Sequence, residues 1–88
     1  MENKVLSSFQ EMDKTGVALP LVTIYRKPKD FPRKCVARLF DGKTGMPTPQ
    51  CIIRKTVTEC REDIWKSGFR VVFGRSLADD SAIVESWV

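Results

Sequence analysis

Between Cys51 and Phe73 the spacing of apolar positions changes period twice. Cys51-Ile52-Ile53 is a short β-prone run that follows the breakers Pro47 and Pro49. Val57, Cys60 and Ile64 then recur at helical spacing, with Trp65 widening the stripe and Glu59, Glu62, Asp63 and Lys66 off it. Thr56 and Glu59 have the capping-box spacing at the start, and Gly68 stands where a left-handed C-cap residue is wanted. Phe69–Phe73 resumes as a strand. A helix of about ten residues is marginal alone in water, so its stripe must lie on a sheet.

The same reading extends along the chain. Val5, Leu6, Phe9 and Met12 predict a short amphipathic helix ending near Gly16. Leu21–Tyr25 and Cys35–Phe40 are strands. On the second, Val36, Arg38 and Phe40 share one face, with Cys35, Ala37 and Leu39 on the other. Residues 41–45 carry turn chemistry, and Met46–Gln50 continues as loop. Gly74-Arg75-Ser76 turns the chain, and Leu77–Ser81 forms a turn or single helical turn. Ala82–Val88 closes as a strand, with Ile83, Glu85 and Trp87 on one side. The expected fold is α+β, in the order α-β-β-β-α-β-β: a mostly antiparallel sheet of four or five strands with one main helix packed on a face. Residues 1–16 form a helix or arm, and 17–88 a single domain.

At 88 residues the chain is one domain that buries roughly 60–65% of its unfolded surface, too little for an enclosed cofactor cavity. No cofactor is expected. No apolar run approaches the roughly 18 residues that span a bilayer, and MENKVLSSFQEMDK lacks a signal-peptide core. A cytoplasmic protein without membrane contact is expected. Cys35, Cys51 and Cys60 read as reduced, buried small hydrophobes.

Charge is unevenly spread. The overall +4 conceals a net +7 over residues 17–56, where nine basic side chains meet only Asp30 and Asp41. Five of the nine, Arg26, Lys27, Lys29, Arg33 and Lys34, fall between Tyr25 and Cys35, with Phe31 among them and two prolines fixing the loop.

Catalytic groupings are sparse. There is no histidine and no CxxC pair, which leaves zinc without its usual donors. Asp79-Asp80 is a carboxylate pair whose side chains diverge on either a helix or a strand, and Lys43-Thr44-Gly45 lacks the rest of a phosphate-loop frame. The expectation is a non-enzymatic binding module. Its contact face comprises Arg26, Lys27, Lys29, Phe31, Arg33, Lys34 and nearby Arg38, Arg54 and Lys55. Three readings of that face stand open: plain solvated surface, an acidic protein partner, or RNA or single-stranded DNA held by cations and stacked on aromatics. The acidic protein partner is the preferred functional one. Exposed edge strands also invite homo-oligomers.

The stretch Tyr25–Arg38, Y-x-x-P-x-D-F-P-x-K-x-V-x-R, together with Asp79-Asp80-x-x-Ile83-Val84-Glu85-x-Trp87, resembles short uncharacterised bacterial and prophage-borne proteins over about residues 21–88. That resemblance implies a non-enzymatic domain. By analogy with small phage-carried proteins, it implies action by blocking a host machine.

Overall fold

A computed structural model describes residues 2–74 and 80–88. Six strands form one sheet: β1 (Lys4–Val5), β2 (Pro20–Arg26), β3 (Cys35–Asp41), β4 (Met46–Arg54), β5 (Val72–Gly74) and β6 (Ile83–Trp87). One helix, α1 (Val57–Lys66), and a 3-10 turn at Phe9–Glu11 are the remaining elements among the described residues. The strand order is β1-β4-β3-β2-β6-β5, and every neighbouring pair is antiparallel except β1 with β4. The α+β class and the single helix on one face match the expectation from sequence. The element order and strand count do not.

The helix is bounded as the sequence predicts. The Thr56 hydroxyl accepts from the Glu59 amide at 3.1 Å, while the Glu59 carboxylate reaches past the cap to the Lys55 amide at 3.2 Å. At the other end Gly68, at φ +103°, donates to the Trp65 carbonyl, and Phe69 donates to that of Ile64. This paired closure holds Ile64 and Phe69 together in the core. Val57, Cys60 and Ile64 are buried against β2, β3, β4 and the 3-10 turn. Trp65 does not extend the stripe. It lies about 100° round the helix from Ile64, is 52% exposed, and is stacked under the Arg70 guanidinium at 4.0 Å.

The core is the sheet face beneath that helix: Val22 and Ile24 from β2, Cys35, Ala37 and Leu39 from β3, Ile52 from β4 and Trp87 from β6. The amino-terminal segment completes it. The expected amphipathic helix is absent from the described residues 2–15. Lys4 and Val5 pair with Gln50 and Cys51, and Leu6 and Phe9 enter the core from an extended chain and a single 3-10 turn. The apolar positions that suggest a helix are ones that such a chain buries anyway. Tertiary pairing overrode a periodicity only four residues deep.

Met46–Gln50 is likewise strand where loop was expected. Pro47 stands opposite Phe40 before β1 begins to pair at Gln50, so it occupies the unpaired outer margin of β4, where a missing donor is harmless. The register slips between Arg38 and Phe40. There the Thr48 hydroxyl donates to the Leu39 carbonyl at 2.7 Å and accepts from the Gln50 amide at 3.2 Å.

Of the strand expected over Phe69–Phe73 only Val72 and Phe73 are strand; with Gly74 they form β5, which pairs with β6, at the far edge from β4. Thus α1 carries the chain across the whole sheet. β6 carries a bulge between its pairings with Ile24 and Tyr25, so Ile83 faces Tyr25 and does not share the side of Glu85 and Trp87. The expected turn at 74–76 and the expected structure of Leu77–Ser81 lie largely outside the described residues.

Candidate binding face

The β2–β3 connection, residues 27–34, is built from two successive turns. Phe31 donates to the Pro28 carbonyl at 3.0 Å, and Lys34 donates to the Phe31 carbonyl at 3.2 Å, with Pro32 in the second position of the second turn. The Lys27 amide closes the loop onto the Lys34 carbonyl at 2.9 Å. Lys27 adopts φ +50°, the only positive value outside glycine among the described residues. For a side-chain-bearing residue that conformation costs about 1 kcal/mol. Pro28 and Phe31 are half-buried and anchor the loop, while Lys29, Arg33 and Lys34 are exposed.

The loop bends over the sheet face opposite the helix and makes a cleft of about 450 Å³ there. Its floor is the cross-strand pair Tyr25 and Val36. Lys27, Lys29 and Arg38 bring positive charge to its walls, and Asp30 and Asp80 bring negative charge. Ser81 and Ala82 close the far side, where the Ala82 carbonyl accepts from the Arg26 amide at 2.7 Å. The cleft is therefore mixed in charge with a slight cationic excess. The more strongly basic surface, Arg33 and Lys34, lies outside its lining.

The nine residues singled out in the sequence divide among several places. Lys27, Lys29 and Arg38 meet in the cleft. Arg26, Phe31, Arg33 and Lys34 belong to the same hairpin end but do not line it. Arg38 is also structural: it donates to the Thr48 carbonyl at 3.0 Å and to the Asn3 side chain, fastening the amino-terminal segment to this face. Arg54 turns away. It donates to the Ser7 carbonyl and pairs with Asp63 of the helix at 3.7 Å, which places its charge on the helix side of the sheet. Lys55 is exposed at the entrance to the helix, where its amide serves the cap. Residues 54 and 55 therefore do not extend the cleft.

Seven lining residues lie outside those nine: Tyr25, Pro28 and Asp30 beside the loop cations, Val36 on β3, and Asp80, Ser81 and Ala82 just ahead of β6. The placement of Asp80, Ser81 and Ala82 depends on β6 pairing with β2, about sixty residues distant along the chain, and no local pattern signals it.

All three cysteines are free and buried. Burial pushes the Cys51 thiol up despite nearby Arg38, and pushes Cys60 up to about 12. Neither is poised as a nucleophile at neutral pH. Among the described residues, no group of three or more His, Cys, Asp or Glu side chains is placed to hold a metal ion. No described helix is long and apolar enough to cross a membrane. No protein-family model matches the chain, and no curated protein or solved structure gives a significant match.

Proposed function

We propose that the protein is a non-enzymatic binding module whose cleft, under the residue 27–34 loop, receives an acidic segment of a protein partner. The supporting observation is the convergence of Lys27, Lys29 and Arg38 around the Tyr25–Val36 floor, beside the exposed cations Arg33 and Lys34. A carboxylate on the partner would meet the lysines, and an apolar or aromatic neighbour would fit the floor. Asp30 and Asp80 can accept from backbone amides of a peptide, donors that a phosphodiester backbone lacks. On the resemblance drawn from Tyr25–Arg38 and residues 79–87, the bound protein would be a host machine that this module blocks.

The test is a peptide array graded in acidic content, read with the native chain and with a Lys27→Glu, Lys29→Glu, Arg33→Glu, Lys34→Glu variant. Binding should rise with acidic content and collapse in the variant, while the melting curve stays nearly unchanged. Binding indifferent to acidic content, or to the four reversals, eliminates the reading.

Tyr25 keeps a second reading in play, since an aromatic among cations also suits unpaired bases. Single-stranded RNA titrated across a salt series separates the two: phosphate contacts give a steep fall of affinity with salt, and their absence removes nucleic acid.

A further inference from the structure

We infer that the protein forms a twofold dimer by adding β5 of one copy to β5 of another, with Arg70–Gly74 pairing antiparallel about Val72. The two margins of the sheet are treated differently. At one, β1 is only two residues long, and the outer half of β4 carries Pro47 and Pro49, devices that discourage further strands. At the other, β5 is the last strand in the order, and Val71, Val72 and Phe73 are 59, 48 and 47% exposed. No charge or proline interrupts them.

The backbone of that margin is set up to accept a strand. Val71 and Val88 exchange both of their hydrogen bonds, at 3.1 and 2.9 Å. By the alternation of an antiparallel ladder, the amide and carbonyl of Val72 therefore point outward, away from β6, as do those of Gly74. With Val72 opposite its own copy, Val72 exchanges two bonds across the axis, and Gly74 lies opposite Arg70 on either side, where the Arg70 amide stays with the Val88 carbonyl of its own chain at 3.1 Å and adds no bond across the axis.

What selects a second copy as the occupant is the sequence of the strand itself. In that register Val71 faces the partner's Phe73 and Phe73 faces the partner's Val71, both at non-hydrogen-bonded positions, where side chains approach most closely. Val72 meets Val72 on the other face. Gly74, with no side chain, leaves room for Arg70, whose guanidinium is already drawn back onto Trp65. Every exposed apolar side chain of the segment thus gains an apolar partner, and no like charges are placed opposite each other. Phe73 aligns with Ser86 and so lies on the cleft side of the sheet, outside the cleft lining, so this interface stands or falls independently of the proposed binding face.

Sedimentation velocity of the full chain over a concentration series from low micromolar upward tests the inference, read against the 10.0 kDa monomer mass. Val72→Pro removes an amide that faces away from β6, leaving the monomer's own ladder intact, and Phe73→Lys sets charges against the apolar pairs. Expected is a monomer–dimer equilibrium whose dissociation constant rises about 100-fold or more in each variant, with monomer circular dichroism unchanged. Phe73→Lys serves alone should the proline variant fail to fold. A wild-type monomer at every concentration, or a dimer that survives Phe73→Lys or a folded Val72→Pro, overturns the inference.

Discussion

The amide of Phe9 donates to one carboxylate oxygen of Asp63 at 2.8 Å, joining residues 54 positions apart, while the other oxygen of Asp63 lies 3.7 Å from Arg54. One side chain on the helix surface thereby holds the amino-terminal segment against the core and keeps Arg54 on the helix side of the sheet, away from the cleft. Asp63→Ala should cost roughly 1–3 kcal/mol, because it leaves a part-buried amide without its acceptor. Urea denaturation measures the loss. Amide exchange should localise it to Leu6 and Phe9, and equal protection in both proteins would show the contact to be dispensable.

Glu85 is buried on the helix side of β6, where Arg61 donates to it twice, at 2.9 and 2.7 Å, and the Trp87 indole donates once at 2.8 Å. The Arg61 hydrogen bonds, more than the opposing burial, hold its carboxyl below the ordinary value of 4.5. The folded state binds this proton less tightly than the unfolded chain does. Its stabilisation is therefore complete above the ordinary carboxyl range and is lost as pH falls through the lowered value. Glu85→Gln should cost about 1–3 kcal/mol at neutral pH, tempered by the partial exposure of Arg61. It should also flatten the acid limb of a stability–pH profile. An acid limb of unchanged steepness would remove Glu85 from the account.

Lys27 carries both a cleft charge and a left-handed backbone, and Lys27→Gly separates the two. Glycine relieves the strain of about 1 kcal/mol but gives the unfolded chain a comparable extra freedom. Thermal stability should therefore stay within about 0.5 kcal/mol of wild type, while affinity for acidic peptides falls. A large stability loss would mean that the lysine side chain holds the loop.

The thiols offer a probe of opening. With Cys60 at about 12 and all three side chains buried, a thiol reagent should modify the native protein only as fast as it opens. Denaturant should accelerate all three together. Prompt modification of one cysteine under native conditions would place it outside the core.

The legible parts of this chain were those whose signals are local and redundant. Helix α1 was announced by a cap, a stripe and a terminating glycine that agree, and the loop of prolines and cations declared itself by composition. Residues 1–15 misled because Val5, Leu6, Phe9 and Met12 satisfy a helical spacing while the chain takes its hydrogen bonds from Cys51 and Asp63. Pro47 and Pro49 misled because a proline rules out a neighbour only on one side of a strand, and the sequence does not say which side is vacant. The candidate cleft is half legible: its loop wall lies within one segment, but Ser81 and Ala82 arrive there only through long-range pairing.

The Thr23 and Ser86 hydroxyls meet at 2.8 Å across the β2–β6 seam, 63 residues apart, and the contacts nearer the end of that seam, Tyr25 with Ile83 and Arg26 with Ala82, close loops nearly as large. Closing so large a loop precedes any reward from the contacts it makes, which places folding toward the slow, millisecond-to-second end for a domain of this size. During synthesis, β2 and β3 can zip as soon as they emerge, yet their shared layer stays uncovered at the β2 margin until Trp87 has been added. For that interval the nascent chain exposes Val22 and Ile24, and the ribosome-bound intermediate is the form most in need of a chaperone.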